Sequence, residues 1–203
     1  MTDELRIPIS ASVRHVHLSQ AHVDVLFGPG HQLTRKADLS QPGQFACEET
    51  VTIVGPKSQI GKVRVLGPVR GETQVEISRT DEFALGIDAP IRASGDLQGS
   101  VGLRLEGPKG TVQLDSGVIQ AQRHIHMSPE DASRFGVTDK QWVMVRVSGE
   151  RGIVFDDVLV RVHPQYRLDM HLDTDESNAA DLGPGSFGVL LKGPTEVKPE
   201  PND

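Results

Sequence analysis

Short runs in which apolar and polar residues alternate recur along the chain, and most of them end at a glycine or a proline. The runs at 49–54 and 62–66 are closed by Gly55-Pro56 and Gly67-Pro68. Alternation with a period of two is typical of a half-buried strand, because successive side chains point to opposite faces. The same pattern predicts strands at 73–77, 99–105, 111–114, 142–147, 153–155 and 157–162.

The composition agrees with this pattern. Glycine (21 residues) and proline (13) are frequent, whereas aromatic residues make up only 4% of the chain. Many short strands punctuated by turn residues are typical of barrels and small sandwiches rather than of helical bundles. We therefore predict a mainly β protein whose helices are short.

One short phrase occurs twice. The residues 14–19 read Arg-His-Val-His-Leu-Ser, and 109 positions later the residues 123–128 read Arg-His-Ile-His-Met-Ser. Each phrase precedes a helical pattern that runs up to Gly28 or Gly136, with the serine placed to cap the helix. A third stretch, 167–173, reads as a strand with one histidine, and Thr174 is predicted to cap a helix at 175–180. This internal duplication predicts two related halves.

The repeated His-x-His indicates a metal site. Residues two apart on a strand share a face, so each phrase projects two imidazoles side by side. Neutral imidazole is a common ligand for zinc and similar ions. Two copies in a matching context favour metal binding more strongly than one copy does. The alternative is that the duplication copied a packing motif.

Each histidine pair needs at least one more protein ligand. For the second pair we expect His171, and the alternative is a structural or surface histidine. For the first pair the candidate is Glu76, although a glutamate between Val75 and Ile77 could equally lie on the solvated side of a strand, and the pattern alone favours that interpretation. His22, inside a helix, and His163, beside a proline, are weaker candidates.

Few other side chains point to chemistry. Gly67 to Gly71 reads as a tight turn that places Arg70 before Glu76, where a guanidinium could bind a phosphate or carboxylate; an exposed turn residue is the alternative. Lys57, Lys62 and Arg64 form a basic cluster that could meet an anion or simply face water. Cys47, followed by two glutamates, is expected to be inert.

The formal net charge of −7 argues against sequence-independent binding to nucleic acid. No apolar stretch is long enough to span a membrane. A signal peptide is not evident, and the single cysteine fits a reducing compartment, so we expect a cytoplasmic protein. Phosphate-loop, dinucleotide-binding, nucleophile-elbow and His-Glu-x-x-His motifs are absent from the sequence.

Taken together, three sets of residues resemble the PduL family of phosphate acyltransferases (phosphotransacylases, or phosphate propanoyltransferases), which are associated with bacterial microcompartments. These sets are the duplicated Arg-His-x-His-x-Ser, the segment 89–96 and the segment 169–179. The resemblance covers about residues 7–192. It implies two β-barrels flanked by short helices, with an active site between them. The expected domains are 13–122, then 1–12 with 123–193, followed by a disordered tail at 194–203.

The resemblance also implies the site. Two zinc ions would be held, one by His15, His17 and Glu76 and one by His124, His126 and His171, although Co²⁺ or another divalent ion would also suit such ligands. Arg70 would bind phosphate. Coenzyme A, as a substrate, would contact Ala11, Ser12, Val13, Lys57, Arg64 and Asn178.

The implied reaction converts acetyl- or propanoyl-CoA plus phosphate into acyl phosphate plus free CoA by direct transfer. Two other interpretations share the ligands: a two-metal hydrolase of phosphate or acyl esters, and a scaffold protein with structural zinc. The amphipathic N-terminal extension of encapsulated family members is not evident, so microcompartment association and free cytoplasmic action in propanediol or acetate metabolism are both open. The sequence leaves the acyl chain, the native metal and the oligomeric state, including a homo-oligomer, undetermined.

Overall fold

The computed structural model describes residues 5–191, so the predicted tail at 194–203 lies outside the described residues. The chain is mainly β with short helices, as the alternating pattern predicts. It divides into two compact units. One, called here the His15 unit, comprises residues 13–122. The other, the His124 unit, comprises the described residues up to Ser12 and those from Arg123 onward.

The described residues contain short helices and strands of three to twelve residues, apart from the two-residue β7. The helices are α1 (Gln20–Phe27), α2 (Arg79–Leu85), α3 (Pro129–Phe135) and α4 (Thr174–Ala179). The strands are β1 (Arg6–Ser12), β2 (His15–Ser19), β3 (Arg35–Asp38), β4 (Phe45–Val54), β5 (Gln59–Arg70), β6 (Gln74–Glu76), β7 (Ile91–Arg92), β8 (Arg104–Glu106), β9 (Thr111–Gln113), β10 (Val118–Ala121), β11 (His124–Met127), β12 (Trp142–Val147), β13 (Ile153–Val162), β14 (Asp169–Asp173) and β15 (Phe187–Leu191).

The His124 unit is a closed barrel. Its strands follow the order β1-β14-β11-β13-β12-β15, and β15 pairs with β1 to complete the ring. Closure leaves no strand of the barrel with an unpaired edge. The interior is filled by aliphatic side chains of alternate positions, including Ile125, Met127 and Met170, all fully buried. β11, which carries the second histidine pair, lies between β14 and β13.

The His15 unit is built on a nine-stranded sheet. Eight strands follow the order β7-β10-β6-β2-β5-β4-β8-β9, and β3 pairs with β4. An isolated bridge between Val101 and Val118 links the chain just before β8 to the start of β10. Val16 and Leu18 of β2 are fully buried among the aliphatic residues of this sheet. β2, which carries the first histidine pair, lies between β6 and β5.

The two units repeat one arrangement. In each, the histidine strand pairs in parallel with a long strand, which is β5 in the His15 unit and β13 in the His124 unit. Each long strand has one residue with a positive φ, Lys62 (58°) or Asp157 (54°), and this residue lies two positions before the one that pairs with the first histidine. The arginine before each histidine strand forms an ion pair with an acid in the first turn of a helix. Arg14 Nη2 lies 2.8 Å from Asp81, and Arg123 Nε lies 3.0 Å from Glu176.

These acids belong to capping boxes. Asp81 and Glu176 each accept a hydrogen bond from the backbone of the residue that caps their own helix. The helices are α2, which follows the strand of Glu76, and α4, which follows the strand of His171. Each arginine therefore ties the start of a histidine strand to the helix beyond the third candidate ligand.

Three sequence predictions about local structure are wrong in whole or in part. The strand predicted at 99–105 forms only at Arg104–Glu106, with an isolated bridge at Val101. Thr174 does not cap α4; Asp173 does, and Thr174 is the first helical residue. Both residue types cap helices well, so the pattern could not separate them. Residues 67–70 are not a turn but the last part of β5. Gly67 is needed for packing instead, because a Cβ there would lie 2.3 Å from the ring of Phe45.

Candidate metal centres

His15, His17 and Glu76 are brought together on one face of the His15 unit, and we call them the first donor group. Glu76 lies directly opposite His15 in the antiparallel pair of β2 and β6. Nε2 of His15 lies 3.1 Å from Nε2 of His17 and 3.4 Å from a carboxylate oxygen of Glu76. One nitrogen or oxygen from each of the three lies within 4.8 Å of the others.

Burial of Glu76 contradicts the solvated position that the pattern alone favours. The residue is 7% exposed, and His15 and His17 are 7% and 2% exposed. β6 lies between β2 and β10, and all three of its residues are buried, so both faces of this strand are covered. A buried carboxylate is costly unless a cation or hydrogen-bond donors compensate it. The burial of Glu76 beside two imidazoles therefore favours a site in which a cation or hydrogen-bond donors compensate the carboxylate.

The tautomer of His15 suits metal binding. Its Nδ1–H donates a hydrogen bond to the backbone oxygen of Val13 at 2.9 Å. A carbonyl oxygen can only accept, so Nδ1 carries a proton and the neutral ring presents the lone pair of Nε2 toward His17 and Glu76. Two nitrogens bound to one tetrahedral zinc ion lie roughly 3.3 Å apart, close to the observed separation of the two Nε2 atoms.

The electrostatics of the first donor group also fit a cation. Burial, with the positive charges of His15 and Arg70 nearby, lowers the pKa of His17 to about 3. Burial alone would raise the pKa of the Glu76 carboxyl, but the adjacent His15 holds that pKa well below its usual range. Burial likewise opposes protonation of His15, yet the carboxylate of Glu76 outweighs it and raises the pKa of His15. At neutral pH the group thus offers an ionised carboxylate and a neutral His17.

His124, His126 and His171 are brought together in the His124 unit, and we call them the second donor group. His171 of β14 lies directly opposite His124 of β11. Nε2 of His124 lies 3.0 Å from Nε2 of His126, and the three ring centroids are 4.6, 4.8 and 5.1 Å apart. His124 and His126 are buried, while the side chain of His171 is 21% exposed. One ring nitrogen from each lies within 4.8 Å of the others.

The two weaker histidine candidates lie outside both donor groups. His22, on α1, shares a hydrogen bond with the hydroxyl of Thr73 at 2.7 Å. His163 is exposed, and its Nδ1 accepts a hydrogen bond from the backbone of Gln165. Both side chains have local structural partners, which agrees with their low ranking from the sequence.

Arg70 belongs to the surroundings of the first donor group. It ends β5, is half-buried, and its charge contributes to the lowered pKa of His17. Its Nη1 donates to the hydroxyl of Ser94 at 3.3 Å, and the amide of Gln74 donates to the same hydroxyl at 2.9 Å. The segment 89–96, singled out in the sequence, thus supplies a hydroxyl that links Arg70 to the neighbour of Glu76.

The residues expected to contact coenzyme A are distributed over both units. In the His15 unit, Arg64 is the parallel-strand partner of His15, and its Nη1 donates to the backbone oxygens of residues 47 and 48. Lys57 is exposed, and its Nζ donates to the oxygen of Phe83. Val13 of this unit is 55% exposed.

The remaining three belong to the His124 unit. Ala11 and Ser12 end β1, where they pair in register with Leu172 and Asp173 of β14. Asn178 is exposed on α4, the helix that follows β14. Ala11, Ser12 and Asn178 therefore lie at the same end of the β1–β14 pair.

Cys47 has the properties of an inert thiol, as its neighbours predict. It is fully buried, and burial together with the charge of Glu49 raises its pKa to about 11. A thiol in this state is mostly protonated at neutral pH and is a poor nucleophile.

Sequence reasoning missed two polar residues beside the donor groups. Gln74 lies two positions before Glu76, and Asp169 lies two positions before His171; they are 2% and 3% exposed. The strand period could have indicated both residues, because residues two apart on a strand share a face and each lies two positions before a candidate ligand. Tyr166, whose ring centroid is 4.4 Å from that of His126, had no periodic signal because it precedes β14.

Comparison with known proteins agrees with the resemblance seen in the sequence. The model of the phosphate propanoyltransferase family matches residues 8–183. A phosphate propanoyltransferase of Thermotoga maritima is 57% identical over 187 residues, which cover 92% of this chain and 89% of the relative. Phosphate propanoyltransferases of Clostridioides difficile and Salmonella typhimurium are 51% and 52% identical over 189 and 194 residues, covering 93% of this chain and 90% and 92% of theirs.

None of the helices within residues 5–191 is long and apolar enough to cross a bilayer.

Because the family model matches most of the chain and the relatives match over nearly their full lengths, the identity of the family does not rest on isolated motifs. The chain belongs to the phosphate propanoyltransferase family and is an acyltransferase enzyme.

Proposed function

We propose that this chain interconverts acyl-CoA plus phosphate with acyl phosphate plus free CoA, with acetyl- or propanoyl-CoA as the acyl donor. Two divalent metal ions serve the reaction, one at each donor group. The observation that carries the proposal is the pair of three-donor groups, buried except for the partly exposed His171, in matching strand registers within a phosphate propanoyltransferase chain.

The donor atoms suit zinc. Two imidazoles with a carboxylate, and three imidazoles, are ligand sets of catalytic zinc sites, in which three protein ligands leave a fourth position for water or substrate. Cobalt fits the same ligands. A closed site with four protein ligands would suit a structural metal and a scaffold role instead. When bound, such an ion supplies a Lewis acid that lowers the pKa of the coenzyme A thiol and offsets negative charge on the reacting oxygens.

Arg70 binds the phosphate in this proposal. Its guanidinium carries several N–H donors in a fixed fork, which suits phosphate oxygens, and it is half-buried beside the first donor group. Its hydrogen bond to Ser94 holds the side chain at that position before substrate arrives. Less reorganisation is then needed as negative charge develops during the reaction.

Coenzyme A is held by Ala11, Ser12, Val13, Lys57, Arg64 and Asn178 in this proposal. Lys57 and Arg64 supply positive charge for the phosphates of the coenzyme. Residues 11–13, of which Ala11 and Val13 are exposed, and the amide of Asn178 supply neutral hydrogen-bonding groups. This distribution favours a ligand with an anionic nucleotide end and a neutral, amide-rich arm, which is the chemistry of coenzyme A.

The transfer needs no acyl-enzyme. A phosphate oxygen forms a bond to the thioester carbonyl carbon, the carbon–sulfur bond breaks, and its electron pair leaves with the sulfur. The proton of hydrogen phosphate is available to the departing thiolate, so atoms and charge balance. Cys47, the single thiol of the chain, is buried with a raised pKa and is unsuited to carry the acyl group. An activity on acetyl or propanoyl groups fits acetate or propanediol metabolism, in the cytoplasm or in a microcompartment.

The proposal predicts phosphate-dependent thiol release. Purified protein supplied with zinc should release free thiol from acetyl- or propanoyl-CoA only when phosphate is present, and should form acyl phosphate in equal amount. A thiol reagent measures the first product and hydroxylamine trapping measures the second.

Two results would count against it. Thiol release at the same rate without phosphate would indicate a hydrolase. Full activity after complete removal of metal by a chelator would exclude the two-metal mechanism.

A further inference from the structure

The third ligand position differs between the duplicated units, and so does the position beside it. In the His15 unit, β6 places Glu76 opposite His15 and Gln74 opposite His17. In the His124 unit, β14 places His171 opposite His124 and Asp169 opposite His126. The carboxylate of β6 therefore lies opposite the first histidine of its pair, whereas the carboxylate of Asp169 on β14 lies opposite the second. In each unit the other of these two positions has a side chain without a carboxylate, Gln74 or His171.

Asp169 is a buried carboxylate in contact with a candidate ligand. It is 3% exposed, and its Oδ2 lies 3.1 Å from Nε2 of His171. Its Oδ1 accepts a hydrogen bond from the hydroxyl of Ser10 at 3.1 Å. An ionised carboxylate can only accept, so Nε2 of His171 then carries the proton that lies in this contact, and the lone pair is left on Nδ1. A carboxylate behind a ligating histidine fixes both the tautomer and the ring orientation.

Gln74, at the equivalent position, has the complementary role. Its amide nitrogen donates to the carboxylate of Glu76 and to the hydroxyl of Ser94, and its amide oxygen accepts from the backbone N–H of Gly95. A neutral amide suffices here because Glu76 already supplies the negative charge of the first donor group. A second carboxylate at this position would place two like charges in a buried site.

The strands on the other side of the histidines show the same exchange. In the His15 unit, Arg64 is in register with His15, in the same row across the sheet as Glu76. In the His124 unit, Arg161 is in register with His126, in the same row as Asp169. In both units, therefore, the arginine and the carboxylate lie in the same row across the sheet, although that row contains the first histidine in one unit and the second in the other.

We propose that Asp169 is a positioning residue of the second donor group. It orients His171 by accepting its Nε2–H, and it supplies the single negative charge that Glu76 supplies, as a ligand, to the first donor group. Each divalent ion would then be held beside one carboxylate, although the two carboxylates come from different positions of the duplicated strand. This inference rests on the metal sites of the proposed function.

The test measures metal affinity rather than activity. His15→Ala removes the first donor group and leaves one equivalent of zinc bound; in that background, Asp169→Asn is expected to weaken the remaining site about 10- to 100-fold, the usual effect of removing an outer carboxylate. Competition with a chromophoric chelator gives the affinity, and the visible spectrum of the cobalt form should change in shape. Asp139→Asn, a matched substitution at an exposed aspartate of the same unit, should leave both readouts unchanged.

Two further variants keep the test decisive if Asp169→Asn folds poorly. Ser10→Ala removes the hydrogen bond to Oδ1 and should weaken the same site severalfold. Asp169→Gln combined with His171→Glu transfers the arrangement of the first donor group and should bind zinc more tightly than Asp169→Gln alone. Wild-type affinity in both Asp169→Asn and Ser10→Ala would overturn the inference and leave the proposed function intact. A wild-type protein that binds no metal would overturn both.

Discussion

Replacing His124 with alanine is expected to remove about one of two bound metal equivalents and to lower phosphate-dependent CoA release by roughly 10³-fold or more. Nε2 of His124 lies 3.0 Å from Nε2 of His126, and its ring is in contact with that of His171. Without it, two imidazoles remain, which is too few for a zinc site. Elemental analysis of dialysed protein and a thiol-release assay measure the two effects.

A matched histidine in the same unit serves as the control. His163 is exposed and belongs to neither donor group, so His163→Ala should keep both metal equivalents and most of the activity. A His124→Ala protein that is folded, binds two equivalents of metal and retains wild-type activity would show that the second donor group is not a catalytic metal site.

Replacing Arg70 with alanine is expected to lower kcat/KM for phosphate by about 100-fold, equivalent to about 3 kcal/mol. The side chain is half-buried, so its charge is less screened than that of a surface arginine. Arg70 is not a ligand in the first donor group, so the content of bound metal should not fall. Steady-state kinetics with phosphate varied at saturating acyl-CoA, together with metal analysis, separate these two effects.

Two further variants serve as controls for Arg70→Ala. Arg70→Lys keeps the charge but loses the fork of donors, so its kcat/KM should lie between those of wild type and Arg70→Ala. Arg104→Ala removes an arginine that is paired with Glu106 on the surface and should change little. An Arg70→Ala enzyme with an unchanged KM and kcat for phosphate would remove Arg70 from the mechanism.

Much of the fold could be predicted from local sequence signals. The alternating runs predicted about half of the strands, and the serine caps with their following glycines predicted α1 and α3, because caps and strand periodicity depend on neighbouring residues alone. The duplicated phrase likewise predicted that two histidine strands would be followed by short helices. The pattern did not predict β1, β3, β7, β10 or β15; of these, β3 and β7 are short strands at exposed or intermediate positions.

Features that depend on distant residues could not be predicted in this way. β5 continues through Gly67, which pairs with Phe45 of β4, and the ring of Phe45 occupies the space that a Cβ at residue 67 would need. Glu76 is buried on β6, an interior strand whose neighbour β10 lies more than forty positions away in the sequence. A single sequence does not show which strands pair, so the alternating pattern predicted that Glu76 would face solvent.

The candidate site was predictable where a repeat or a family motif marked it. The histidine pairs followed from the duplication, whereas Glu76 as a ligand and Arg70 as a phosphate-binding group followed only from the resemblance to phosphate acyltransferases. Asp169 was missed because the role proposed for it depends on the register of β14 with β11. The assignment of all six donors as metal ligands stays a prediction.

In the proposed mechanism, both donor groups hold a catalytic metal ion. Diffraction data collected on either side of the zinc absorption edge, from crystals of zinc-loaded protein, test it most directly. We predict two anomalous peaks, one within bonding distance of His15, His17 and Glu76 and one within bonding distance of His124, His126 and His171. Anomalous density elsewhere, with both groups empty in an active enzyme, would rule out catalytic metal ions at these two groups.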